Sequence, residues 1–156
     1  LSPYLAAMRT LFLAAALLAA PAAAQAPSMH VSGWAGATVP GQKTAAVYLT
    51  IHNGGRAADQ LLAVSSPIAT SGSMHRTVNA GGVLRMRPSG PMSIIPGQQL
   101  QMAPGGLHVM LHGLKAPLRV GSRVPVNLRF AKAGIVRAQV TVQRPGKAEN
   151  HGHHAH

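Results

Sequence analysis

The chain predicts a single all-β domain, folded as an antiparallel sandwich or a small barrel. Turn-forming residues recur at short intervals, from Pro40-Gly41 through Asn53-Gly54-Gly55, Gly81-Gly82, Pro96-Gly97 and Pro104-Gly105-Gly106 to Gly134. The runs between them alternate in polarity or are rich in β-branched residues. Past the N-terminal region, no segment carries a long helical period with capping residues.

Taken in order, residues 45–52 place Val47, Leu49 and Ile51 on one face of a strand. Residues 60–64, 83–86 and 98–102 are further short candidates. The hairpin chemistry of Asn79-Ala80-Gly81-Gly82 joins the strand carrying His75 to the strand carrying Met86. With Ala80-Gly81 as the loop, His75 stands directly opposite Met86. With Gly81-Gly82, Met86 moves opposite Thr77 and keeps the face of His75. Over residues 107–112, aliphatic Leu107, Val109 and Leu111 alternate with His108, Met110 and His112. Residues 124–130 and 135–142 form a closing hairpin. The folded domain is assigned to residues 25–143, with no internal repeat.

The start of the chain resembles an export signal. Met8-Arg9 gives a positive lead, residues 10–20 are apolar, and Pro21 precedes Ala22-Ala23-Ala24, a small-residue cleavage pattern. Residues 1–24 are therefore assigned to a signal peptide with some upstream sequence, and the mature chain to the periplasm. No later run is long and apolar enough for a transmembrane helix. There is no cysteine, so the domain has no disulfide staple and must rest on its apolar core.

Fourteen Lys and Arg face two acids, Asp59 and Glu149. The basic residues are scattered, and past the leader only Trp34, Tyr48 and Phe130 are aromatic. Nucleic acid is therefore not the expected partner; an acidic protein or an anionic surface suits the charge better. Two acids also leave too few carboxylates for glycosidase or hydrolytic metal chemistry. Asp59, Ser73 and His75 are the nominal members of a nucleophilic set, but no nucleophile-elbow motif accompanies them. No enzymatic activity is expected.

The informative constellation is His75, Met86, His108 and Met110, in which ten residues separate the first two and twenty-one separate Met86 from a His-x-Met pair. Thioethers select monovalent copper, imidazole tolerates it, and hard cations want oxygen. Residues two apart in a strand share a face, so His108 and Met110 project together while Val109 packs inward. The set reads as a Cu(I) site. A separate tail, residues 144–156, carries His151, His153, His154 and His156 in a polar tract that suits Cu(II). Met29-His30 lies near the other end.

These residues resemble the periplasmic PCu(A)C-type copper chaperones, whose motif is a His, ten residues, a Met, twenty-one residues and His-x-Met. The similarity extends from about Trp34 to Val142 and includes Gly82-Val83-Leu84-Arg85-Met86-Arg87-Pro88 and Pro104-Gly105-Gly106-Leu107-His108-Val109-Met110-Leu111. The resemblance implies a cupredoxin-like β-sandwich holding Cu(I) near its surface. It also implies delivery to cytochrome c oxidase subunit II or a related copper acceptor, alongside a Sco-type thiol protein. One departure stands out: many members carry an acid after the first histidine, whereas here it is Arg76, with Arg85 and Arg87 flanking Met86. The competing expectations are a periplasmic copper-sequestering protein working through its His-rich tail, and an immunoglobulin-like envelope interaction module that binds no metal.

Overall fold

A computed structural model describes residues 28–145. The assigned leader and the four tail histidines lie outside the described residues. The ten strands are β1 (Met29–Gly36), β2 (Thr44–Asn53), β3 (Asp59–Ser65), β4 (Ser71–Ala80), β5 (Val83–Pro88), β6 (Met92–Ile94), β7 (Gln99–Gln101), β8 (Leu107–His112), β9 (Arg123–Phe130) and β10 (Gly134–Gln143). Among the described residues there is no helix, and hence none long and apolar enough to cross a membrane. The all-β expectation holds. The alternating runs of β2 and β8 and the closing β9–β10 hairpin fall where the sequence pattern placed them.

The strands form one sheet in the order β5-β4-β8-β2-β1-β10-β9-β3-β6, with β7 also paired to β2. All pairings are antiparallel except β1 with β10. The sheet turns back on itself. β4 and β3 are far apart in the strand order, yet a Cβ added to Gly72 on β4 would collide with the backbone oxygen of Val64 on β3. A residue without a side chain is needed there.

β2 shows how the sequence makes the two faces. Ala45, Val47, Leu49, Ile51 and Asn53 are buried, while Thr44, Ala46, Tyr48, Thr50 and His52 between them are only half-buried. The inner set joins Leu107, Val109 and Leu111 of β8, Val124, Val126, Leu128 and Phe130 of β9, and Val140 and Val142 of β10 in one apolar core. Burying aliphatic side chains like these contributes roughly 1.5–3 kcal/mol each before chain entropy is subtracted. The end of β2 is tied down by Asn53. Its Nδ2 donates to the carbonyls of Ala57 (2.9 Å) and Ile94 (2.8 Å), and its Oδ1 accepts from Gly55 N (2.9 Å). The outer face of β4, β5, β8, β2 and β1 is left free to carry other chemistry.

Candidate metal centre

The β4–β5 hairpin settles its register through Gly81 and Gly82. Both have positive φ, 63° and 83°, as a two-residue hairpin loop requires. Asn79 Oδ1 accepts from Gly82 N at 2.8 Å. Ala80 pairs with Val83 and Thr77 with Met86, so Met86 lies two positions along from His75 on the same face. Of the two registers the sequence permits, the Gly81-Gly82 loop is the one formed.

On the other side of β4, His75 pairs directly with His108 of β8. The ring centres are 6.0 Å apart and the planes 18° from parallel. His108 is 5% exposed. Its Nδ1 lies 3.0 Å from the carbonyl of Gly106. A carbonyl only accepts, so Nδ1 carries the proton and Nε2 presents a lone pair. That Nε2 lies 3.2 Å from Met86 Sδ. Two electron-pair donors therefore face one another with no proton between them, an arrangement that favours a cation.

His75 adds a third donor. Its Nδ1 is buried without a hydrogen-bond partner, a costly state for a polar atom that no ligand satisfies. Its Nε2 lies 2.7 Å from Ser73 Oγ, which is also 2.8 Å from His112 Nε2. Burial, then the neighbouring imidazoles of His108 and His112, hold the His75 pKa below the usual histidine value. The neutral ring, the form that can act as a ligand, is thereby favoured.

Met110 shares the face of His108 one step along β8, in register with Ser73 on β4 and Ala46 on β2. It also borders a shallow depression with Trp34, Tyr48 and Pro104. His75, Met86 and His108 thus form a compact cluster, with Met110 on the adjoining stretch of the same face. Among the described residues, no group of three or more His, Cys, Asp or Glu side chains could hold a metal ion. A metal held here would therefore lean on thioether sulfur, as soft ions do.

Ser73 and His112 are the site residues that sequence reasoning did not assign. Ser73 does reach His75, but Asp59 does not complete a nucleophilic set. Its carboxylate instead accepts from the backbone N–H groups of Gln60, Lys132 and Ala133, each at 2.8 Å. The surroundings of the site are basic. Arg76 and Arg87 are directly paired across β4 and β5, and Arg85 is nearby.

Several known structures share this fold. The apo PCuAC domain of PmoF1 aligns with a TM-score of 0.62 and 31% identity, covering 76% of this chain and 95% of that one. The copper-bound PCuAC domain of PmoF2 gives 0.63 and 26%, covering 76% and 94%. Cu(I)-loaded DR1885 of Deinococcus radiodurans gives 0.57 and 28%, covering 79% and 83%. In sequence, a protein of Leifsonia xyli subsp. xyli described as a putative lipoprotein is 34% identical, over 79% of this chain and 77% of its own length. The family resemblance drawn from the motif thus recurs among the structures, while the family matched in sequence carries a different description. Residues 29–142 match the family described as "Putative lipoprotein LpqE-like", and the chain belongs to that family.

Proposed function

We propose that this protein is an exported copper chaperone that carries Cu(I) on His75, Met86, His108 and Met110. The observation that carries the reading is the facing of His108 Nε2 and Met86 Sδ at 3.2 Å, beside the unpartnered Nδ1 of His75. Two imidazoles and two thioethers are neutral donors, so a bound Cu(I) keeps its charge of +1. Similarity to a copper-bound and a Cu(I)-bound structure supports the choice of metal.

Copper here is cargo, and its release is ligand exchange without redox turnover. Met86 is 57% exposed on a strand whose every residue is exposed. It is the donor that an incoming ligand reaches first. A thiolate-bearing acceptor offers stronger ligands for Cu(I), and the ion moves to it through a shared intermediate. We assign delivery to cytochrome c oxidase subunit II or a related copper acceptor, in company with a Sco-type thiol protein. The family's description as lipoproteins supports action outside the cytoplasm at a membrane. The 156 residues contain no cysteine, so none of them can carry a thioether-linked lipid.

Cu(I) titration against a competing chelator tests the assignment. One tight site is expected, lost in Met86→Ala and in His108→Ala. Unchanged affinity in both variants would discard it. X-ray absorption on the loaded protein should show sulfur and nitrogen scatterers together.

A further inference from the structure

The outer face of the sheet carries a second pair of imidazoles, away from the centre described above. His30 and His52 are directly opposed across β1 and β2. Their ring centres are 6.1 Å apart and their planes 27° from parallel. A first-row ion binds an imidazole nitrogen at about 2.0–2.1 Å, which puts each ring centre about 3.2 Å from the ion; two rings that share one ion therefore stand no more than about 6.4 Å apart, a bound this pair meets. Among the described residues, neither ring makes a side-chain hydrogen bond, so their nitrogens are available to a ligand.

The backbone under this pair is fixed. Gly54 N donates to Ser28 O at 2.7 Å, closing the start of β1 against the end of β2. The buried Asn53 side chain holds the residue after His52 through its three backbone contacts. Gly54 leaves room for the His30 ring, since a Cβ there would sit 3.3 Å from His30 Nε2. Gln99 on β7 is the register partner of His52 and is exposed. Directly opposed residues share a face, so its amide oxygen is within reach as a third donor.

We propose that His30 and His52, with Gln99 beside them, form a second metal site, which takes divalent copper and is separate from the thioether centre. The donor set contains nitrogen and oxygen and no sulfur, which suits Cu(II) over Cu(I). His52 lies four positions along β2 from Tyr48, about 13 Å of strand. Tyr48 is the ring that neighbours His108, with centres 6.3 Å apart. The two places are thus distinct, and one can be emptied without the other.

Amide NMR spectra of the full chain during substoichiometric addition of Cu(II) test the site. Paramagnetic broadening should remove the signals of residues 30–31, 51–53 and 99. It should be abolished there in His30→Ala and equally in His52→Ala, while the dispersion of both spectra reports an intact fold. Cu(I) affinity should be unchanged in both variants, which separates this site from the His75 centre. Broadening confined to the His75–His108 region and the tail histidines would overturn the proposal, as would broadening of β1 and β2 that survives His52→Ala.

Discussion

Ser73 Oγ lies 2.7 Å from His75 Nε2, and this contact decides which nitrogen of His75 is free. The same hydroxyl lies 2.8 Å from His112 Nε2. A hydroxyl donates one proton and accepts others. His75 Nε2–H donating to Ser73 with Ser73 donating to His112 Nε2 satisfies both contacts, as does the reverse order, and only the first lets His75 Nδ1 act as a ligand. In that order the lone pair of His75 falls on the buried, unpartnered Nδ1. The two proposed histidine ligands therefore differ, with His75 presenting Nδ1 and His108 presenting Nε2.

Long-range nitrogen–proton NMR of the metal-free protein should show His75 protonated on Nε2 and His108 on Nδ1. Ser73→Ala removes the group that selects the His75 tautomer. Cu(I) affinity should then fall about 10–100-fold, the usual cost of losing an outer partner of a ligand. Equal affinities for the two proteins would show that the serine plays no positioning role.

Exposure separates the effects of the ligands on binding and on stability. Met86 is 57% exposed, so Met86→Leu should shift unfolding free energy by less than about 0.5 kcal/mol while sharply weakening Cu(I) binding. His108 is buried and bonded to the Gly106 carbonyl. His108→Ala removes one of the two donors to that carbonyl, leaving Thr77 N at 3.1 Å, and opens space, and should cost about 1–3 kcal/mol. Urea unfolding of the metal-free variants measures both. Equal destabilisation by the two substitutions would contradict the burial of His108 relative to Met86.

The contact between Gly72 and Val64 links the core to the site. A Cβ at position 72 meets the Val64 backbone oxygen, and neither strand can yield without disturbing its pairing. Gly72→Ala should destabilise the fold by about 1–3 kcal/mol. It should also displace the adjoining Ser73 and so weaken Cu(I) binding. Gly106→Ala is the control. Its Cβ would meet only the Ala103 oxygen, at 3.5 Å, and its φ is not in the positive range. It should leave stability within about 0.5 kcal/mol.

Much of this arrangement was legible in the residues. Strict alternation marked β2 and β8, because each turns one aliphatic face to the core and its remaining residues to the opposite side. The His-x-Met pair followed from the same period. β1 was not assigned: its alternation is interrupted at Gly33, where a Cβ would strike the Tyr48 backbone oxygen. That contact is made by a neighbour distant in sequence. β6 has three residues, too few to show a period. The hairpin register stayed open because Ala80-Gly81 and Gly81-Gly82 are both workable turns, and only the φ values of the two glycines decide between them. Ser73 and His112 were missed for a different reason. They meet only because β4 pairs with β8, and no local pattern announces that pairing. The signal that could have found them is Ser73-x-His75 facing His108-x-Met110-x-His112, two runs with the same two-residue period.

Acid should unfold the metal-free protein in two stages, each traceable to one side chain. The first belongs to His75, whose pKa is lowered by burial and by His108 and His112. Below about pH 6.5 the unfolded chain takes up this proton before the folded one does, so stability falls until the folded pKa is passed. The second belongs to Asp59, which is 5% exposed. Burial pushes its carboxyl upward, but the N–H groups of Ala133, Lys132 and Gln60 and the charge of Lys132 outweigh this and hold it below the usual range. Its contribution is complete above the unfolded value of about 3.9 and drains away as pH falls through the folded one. The sequence contains only one other acidic side chain, Glu149, so few carboxylates compete for this lower stage. Asp59→Asn should remove it, leave the upper stage in place, and cost about 1–3 kcal/mol at neutral pH through weakened bonds to the three amides. His75→Gln should remove the upper stage alone. Urea midpoints measured from pH 8 to pH 3 on the three proteins check both assignments; a lower stage that persists in Asp59→Asn would place the acid sensitivity elsewhere.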